Sequence, residues 1–273
     1  MIALGVGVFG SLIGSFLNVV IFRVPAGRSI VSPPSACGSC GARVRPLDNL
    51  PVLSWLVLRG KCRDCRAPIS VRYPLVELGT ALFFVAIAWL VLANPASEAS
   101  GIVAITATVL TLVGLLYFAA ISVALALIDL DTHRLPNSIV LPAYPVAAVV
   151  LTAAALTAGE PGRLLTMAIG AIGLFAAYFA MASLYRGGMG FGDVKLAGVI
   201  GLYLGWFGWG PLAVGAFGAF LLGGLFSLML VTTRGATGRT AIPFGPWMIL
   251  GAWVGIFAGE QIATAYLALF GLI

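Results

Sequence analysis

The sequence predicts an all-α, polytopic membrane protein of about eight transmembrane helices with one zinc-binding loop between helices 1 and 2. Three observations predict it. Of the 273 residues, 61% are hydrophobic and only 9% charged, against about 25% charged in a soluble domain. The apolar residues fall in long, nearly uncharged runs, and a hydrocarbon core of about 30 Å needs about 20 such residues per helix. The cations are gathered rather than spread. Nine of the fifteen Lys and Arg residues (Arg23, Arg28, Arg43, Arg45, Arg59, Lys61, Arg63, Arg66 and Arg72) lie between the first two runs, which is a topology signal.

The first run, 2–22, has no positive segment before it and the basic loop directly after it. It reads as an uncleaved signal-anchor with its N-terminus outside. Further runs occupy 74–93, 102–128, 138–158 and 164–185. Runs 194–208 and 211–231 are separated only by Gly205-Trp-Phe-Gly-Trp-Gly210, an interfacial turn with aromatic anchors. The last run, 242–273, is too long for one straight pass and contains Glu260. The expected organisation is helix 1 over 1–22, a cytoplasmic Cys loop over 23–73 and a membrane bundle over 74–273. Alternating sides from that loop also places Arg134, Arg186, Lys195, Arg234 and Arg239 in the cytoplasm, leaving only Arg163, beside Glu160, outside. A net charge of +6 raises nucleic-acid binding, but no base-stacking aromatics interleave with a basic patch, so the partner implied is the lipid bilayer and no nucleic acid. No internal repeat at solenoid spacing is visible, and the 35 glycines are spread through the helices, as close helix packing requires.

All four cysteines lie in the loop, as Cys37-Gly-Ser-Cys40 and Cys62-Arg-Asp-Cys65, with 21 residues between the pairs. Each pair offers two thiolates to one tetrahedral ion, so the spacing points to zinc. Disulfides or free thiols are the plainer alternative, but the topology puts the loop in a reducing compartment. The loop is too short for its own core, so a metal would supply much of its folding free energy. Four cysteines close the coordination sphere, which makes the zinc structural rather than catalytic. A zinc protease is further disfavoured because no His-Glu-x-x-His occurs and His133 is the only histidine.

Carboxylates in membrane segments are candidate functional sites because burying a charge there is costly. Asp48, Asp64 and Glu77 belong to or adjoin the basic loop, Glu98 and Glu160 sit in short outside loops, and Glu260 marks an interface. Asp129, Asp131 and Asp193 remain. Positions two apart on a helix point about 200° away from each other, so only one of Asp129 and Asp131 faces the interior. Asp129 is the deeper; Asp131 is placed to pair with Arg134 at i, i+3 if the helix continues. Asp193 follows Gly187-Gly-Met-Gly190-Phe-Gly192. Gly190 and Gly192 remove side chains just before the acid, which lets a peptide backbone approach it; the plainer reading of Asp193 is a helix N-cap. Under the eight-helix topology Asp129 and Asp193 reach the same cytoplasmic boundary. Two carboxylates brought together share a proton, one acting as base on a water and the other as acid toward a carbonyl, which is aspartic peptidase chemistry.

The chain resembles the bacterial prepilin peptidase (type IV leader peptidase) family in Gly14-Ser-Phe-Leu-Asn18 through Pro25, the two cysteine pairs, Asn49-Leu-Pro51-Val-Leu-Ser-Trp55, and Arg72-Tyr-Pro74 with Glu77. The resemblance continues through Asp129 with Pro136-Asn137, Gly190-Phe-Gly-Asp193-Val-Lys195 and Ile242-Pro-Phe-Gly-Pro246. It implies that Asp129 and Asp193 are catalytic, that the leader of a type IV prepilin or pseudopilin is cut on the cytoplasmic side of the inner membrane, just before the substrate's hydrophobic helix, and that S-adenosylmethionine serves N-methylation of the new terminus. The Cys loop is associated with that second activity; no nucleotide-binding fingerprint is visible in it. The competing class is an ion-coupled transporter or channel using intramembrane acids in broken, Gly-rich helices.

Overall fold

In lipid every backbone N–H and C=O must be satisfied within the chain, which leaves apolar runs of this length one economical solution, the helix. The computed structural model describes residues 2–94, 101–184, 189–234 and 242–272. Among them are nine α-helices: α1 Ile2–Arg23, α2 Leu53–Val57, α3 Arg72–Ala93, α4 Ile102–Thr132, α5 Asn137–Thr157, α6 Gly162–Leu184, α7 Phe191–Phe207, α8 Trp209–Arg234 and α9 Gly245–Leu269. No strand forms among the described residues; the only β pairing is two isolated bridges, Ala36 to Arg43 and Lys61 to Pro68. Seven helices among the described residues are long and apolar enough to cross a membrane. The remaining expected pass, the run 194–208, is α7, whose 17 residues span about 25 Å at 1.5 Å each. Glu98, Arg186, Gly187, Gly188 and Arg239 lie outside the described residues.

The chain divides into two compact units, Met1–Asn94 with Leu115–Ala124, and Pro95–Gly114 with Leu125–Ile273. In the first, α1 and α3 run antiparallel along a seam of small residues. A Cβ on Gly14 would stand 2.7 Å from the Glu77 Cα, and one on Gly10 would stand 2.9 Å from the Phe84 Cβ. Such close backbone approach replaces hydrophobic drive as the source of association between helices in lipid. The loop of residues 24–71 joins these two helices.

The second unit is built around α7, which packs on α5, α6, α8 and α9 and is buried at every residue from Leu196 to Trp206. Gly201 and Gly170 allow α7 and α6 to meet backbone to backbone: a Cβ on Gly201 would stand 2.2 Å from the Gly170 carbonyl oxygen. The polar tips of α7 find partners on neighbouring segments. The Tyr203 hydroxyl donates to the Gly114 carbonyl at 3.2 Å, and the Trp206 indole N–H donates to the Leu151 carbonyl at 3.2 Å. Helices α7 and α8 part at the single residue Gly208, whose φ of 120° suits glycine. This is a sharper break than the six-residue turn expected from the sequence. The final apolar run folds as one 25-residue helix, α9.

Candidate active site

Helix α4 continues past its apolar run to Thr132 and stops where His133 turns left-handed, with φ 53°. That extra turn carries Asp129 into the protein: the residue is only 4% exposed. Its Oδ2 accepts the N–H of Gly245, the first residue of α9, at 3.0 Å. The leading N–H groups of a helix lack partners within it and favour a negative group, so the carboxylate ties the start of α9 to the end of α4. Asp131 is exposed, as two residues of helical rotation require, and the helix stops before Arg134.

Asp193 is the third residue of α7, half-buried, with its backbone N–H bonded to the Gly190 carbonyl at 3.1 Å. The N-cap position belongs to Gly190, and no side chain caps this helix, so the ordinary cap reading of Asp193 does not describe it. The two glycines differ in what they do. A Cβ on Gly190 would stand 3.4 Å from the Asp193 Oδ2, an ordinary contact, whereas one on Gly192 would stand 3.0 Å from the Leu135 Cβ. Gly190 thus borders the carboxylate, and Gly192 makes room for packing.

Leu135 brings the two halves together. Besides facing Gly192, its Cδ2 would stand 3.4 Å from a Cβ on Gly245, and that same Cβ would be only 2.6 Å from the Asp129 Oδ2. Gly192, beside Asp193, and Gly245, which bonds Asp129, thus face the same side chain. The Tyr178 ring packs on Phe220 and Phe244, at 5.5 and 6.3 Å between centroids. Lys195 fixes the start of α7. Its Nζ donates to the Asn137 Oδ1 at 3.0 Å and lies 4.8 Å from the centre of the Phe191 ring, and its carbonyl accepts the Tyr144 hydroxyl at 2.6 Å.

In the other unit, the four cysteine sulfurs lie within 4.8 Å of one another and form no disulfide. Cys37 and Cys65 sulfurs are 3.7 Å apart, close to the edge of about 3.8 Å that a tetrahedron with Zn–S of about 2.3 Å demands. The donor set therefore fits zinc. Both knuckles share one backbone course. The Cys37 N–H bonds to the Ala42 carbonyl at 2.9 Å and the Cys62 N–H to the Ala67 carbonyl at 2.8 Å, and Gly41 and Arg66 take matching φ of 73° and 63°. The loop is thus a duplicated knuckle, a repeat too short and too diverged to stand out in the sequence.

Ion pairs cross between the knuckles: Arg45 to Asp64 at 3.0 Å, and a bidentate Arg63 on Asp48. The Arg63 hydrogen bonds hold the Asp48 carboxyl below the usual carboxylate range. The backbone N–H groups of Cys40 and Ser39 pull the Cys37 thiol down to about 6. The Ala67 N–H also lowers Cys65, but hydrogen bonds with the Cys40, Cys62 and Cys37 thiols, together with burial, push it up to about 12.

Glu77, which its place beside the loop had made ordinary, is instead a buried carboxylate at 9% exposure. Its Oε2 accepts the N–H of Val52 at 2.7 Å, holding that β-branched residue at a φ of 61°, a sparsely populated conformation. A cavity of about 550 Å³ opens here, lined by Asn18, Arg23, Asp48, Trp55, Tyr73 and Glu77 among others.

Comparison with known proteins bears on both regions. Residues 8–91 match the model of the bacterial peptidase A24 N-terminal domain, and residues 116–228 that of the type IV leader peptidase family. A prepilin leader peptidase/N-methyltransferase of Pseudomonas putida is 34% identical, over 97% of this chain and 93% of the relative. The chain belongs to the type IV leader peptidase family. Other members with the same name are 34% identical in Aeromonas hydrophila, over 96% and 92% of the two chains, and 30% identical in Neisseria gonorrhoeae, over 94% and 91%. No solved structure matches the chain. Within the family pattern quoted from the sequence, the geometry assigns tasks to residues that pattern alone left without one. Gly245 serves the Asp129 carboxylate, Asn137 anchors Lys195, and Asn18 donates to the Tyr73 carbonyl at 3.2 Å. Leu135 and Tyr178 carried no sequence signal; an apolar residue and a tyrosine in apolar surroundings look like any others.

Proposed function

We propose that this chain is a multi-pass membrane aspartic peptidase that removes the leader of a type IV prepilin or pseudopilin and then N-methylates the new terminus. Asp129 and Asp193 are the catalytic pair in this reading. The observation that carries it is the convergence on Leu135 of the buried Asp129 carboxylate's partner, Gly245, and of Gly192, the residue just before Asp193. Two carboxylates brought together share one proton. The ionised member takes a proton from water as the water oxygen attacks the scissile carbonyl. The protonated member gives its proton to the carbonyl oxygen. Collapse of the tetrahedral intermediate expels the amine, which takes up a proton as it leaves, and the new carboxyl end remains on the leader.

The Cys loop, residues 23–73, is the methyl-transfer region, with Cys37, Cys40, Cys62 and Cys65 holding a structural zinc and the peptidase pair lying within the bundle of 74–273. S-adenosylmethionine supplies an electrophilic methyl group when bound. The site is the bacterial inner membrane, with both reactions at its cytoplasmic face, where the positive loop belongs. Ion coupling through membrane carboxylates finds no support in the family or its named relatives. Mass spectrometry of a prepilin co-expressed with the protein tests the reading in one spectrum. Loss of the leader with gain of one methyl is expected, and an unprocessed prepilin overturns it.

A further inference from the structure

A buried carboxylate normally has a counter-charge, because an unpaired one is expensive to keep away from water. Glu77 has none: among the described residues its one polar partner is the neutral Val52 N–H. The arginines lining the same cavity do not pair with it. Arg63 is bound to Asp48, Arg23 donates to the Ser29 carbonyl at 3.0 Å, and the third, Arg43, is exposed and forms no ion pair with Glu77. An ionised carboxylate offers about four acceptor positions, and the N–H of Val52 uses one. A cavity of about 550 Å³ that includes Glu77 in its wall is of ligand size. The missing cation is therefore expected from outside the protein.

Resting on the methyltransferase reading above, we infer that Glu77 binds the newly exposed N-terminal ammonium of the cleaved pilin and takes the proton that must leave before the nitrogen is methylated. The depth of Glu77 suits this substrate. It is the sixth residue of the membrane-spanning α3, about 8 Å along the helix from its start. An amine at the head of a hydrophobic helix would reach it with that helix still in lipid. In the step, one N–H proton passes to the Glu77 carboxylate and leaves a lone pair on nitrogen. That pair forms the N–C bond to the methyl carbon of a sulfonium donor as the C–S bond breaks, its electrons going to sulfur. The products are an N-methylammonium, a thioether and protonated Glu77.

Glu77→Gln is the discriminating variant, because its carbonyl oxygen still accepts the Val52 N–H while its charge and basicity are gone. The full-length protein is compared with the variant in three measurements: zinc content, affinity for S-adenosylhomocysteine, and affinity for pre-cleaved pilin with a free or an acetylated terminus. Wild type should prefer the free amine by about tenfold or more, as a charge-assisted hydrogen bond implies. The variant should lose that preference and its methylation of pre-cleaved pilin, while zinc, S-adenosylhomocysteine binding and leader cleavage stay unchanged. Methylation by Glu77→Gln at the wild-type rate would overturn the assignment, as would loss of zinc or of S-adenosylhomocysteine binding, which would make Glu77 a strut. A wild type that cleaves but neither methylates nor distinguishes the two termini would instead bring down the methyltransferase reading itself.

Discussion

The cysteine loop and the neighbourhood of α7 are ordered by opposite means. In the loop, most side chains are exposed, and shape comes from a few polar points: four sulfurs within 4.8 Å, two crossed ion pairs and the clasp of Glu77 on Val52. Around α7, shape comes from many close backbone approaches, with every residue from Leu196 to Trp206 buried. A region held at few points loses its structure when one is removed. A region held everywhere keeps its structure when a polar group is exchanged, and loses only that group's chemistry.

The largest effect expected from this contrast is chemical and leaves the bundle standing. Asp129→Asn and Asp193→Asn should each lower leader cleavage by about 10³-fold or more, the scale of a lost general acid or base, with abundance and membrane insertion unchanged. Asp131→Asn should retain most activity, because that residue is exposed. The check is the cleaved fraction of prepilin by mass spectrometry. An inactive Asp131→Asn beside an active Asp129→Asn would invert the assignment of helix faces.

The loop should behave in the reverse manner. Purified protein is expected to hold about one zinc per chain, and Cys37→Ser with Cys40→Ser should release it and disorder the loop, whose main source of order is thiolate ligation. Methylation of pre-cleaved pilin should then fall by about a hundredfold, the upper end for a disrupted metal site. Cleavage should persist, because helices satisfy their own backbone. Labelling of pre-cleaved pilin with a radioactive methyl donor separates the outcomes: equal labelling by the double mutant and wild type would exclude a metal-ordered loop as the methylating element.

Much of this was legible in the sequence because the relevant signals are local. Apolar runs gave the long helices, the C-x-x-C pairs gave the sulfur cluster, and two-residue spacing on a helix separated buried Asp129 from exposed Asp131. What escaped depends on contacts between distant segments. Gly245 meets Asp129 across 116 positions, and nothing local says which N–H a carboxylate will find. Glu77 looked like part of a charged loop because it adjoins one, yet α1 packs over it through Gly14. The knuckle repeat was hidden because Gly41 and Arg66 take the same left-handed conformation with different side chains.

Gly245→Ala tests the packed region more gently. Its new Cβ would fall 2.6 Å from the Asp129 Oδ2, so something must move, and the end of a short side chain moves more cheaply than two helices. The carboxylate should swing away, losing its 3.0 Å bond to the Gly245 N–H. A misplacement of about 1 Å costs catalysis about 10²-fold. Thermal stability should change little, and methylation of pre-cleaved pilin should not change at all. A strongly destabilised Gly245→Ala would mean that the backbone, not the carboxylate, is the yielding part.

Gly190→Ala should have the smallest effect of the set, for a reason visible in the same measurements. Gly190 has φ −74° and ψ 144°, an extended conformation open to any residue, so alanine meets no backbone strain. Its Cβ would lie 3.4 Å from the Asp193 Oδ2, an ordinary contact that neither displaces the acid nor opens a gap. The free enzyme should therefore keep its stability within about 0.5 kcal/mol. The cost should appear only with substrate, because the added methyl borders the carboxylate that a scissile peptide must approach. A two- to threefold fall in kcat/KM, roughly what a contact of that size is worth, is the expected result, deepening with Gly190→Val as the side chain grows over the acid. Steady-state cleavage of a prepilin peptide by the two variants supplies the comparison. If Gly190→Val cleaves as fast as wild type, the space beside Asp193 is not on the substrate's path, and the glycine before it serves the fold alone.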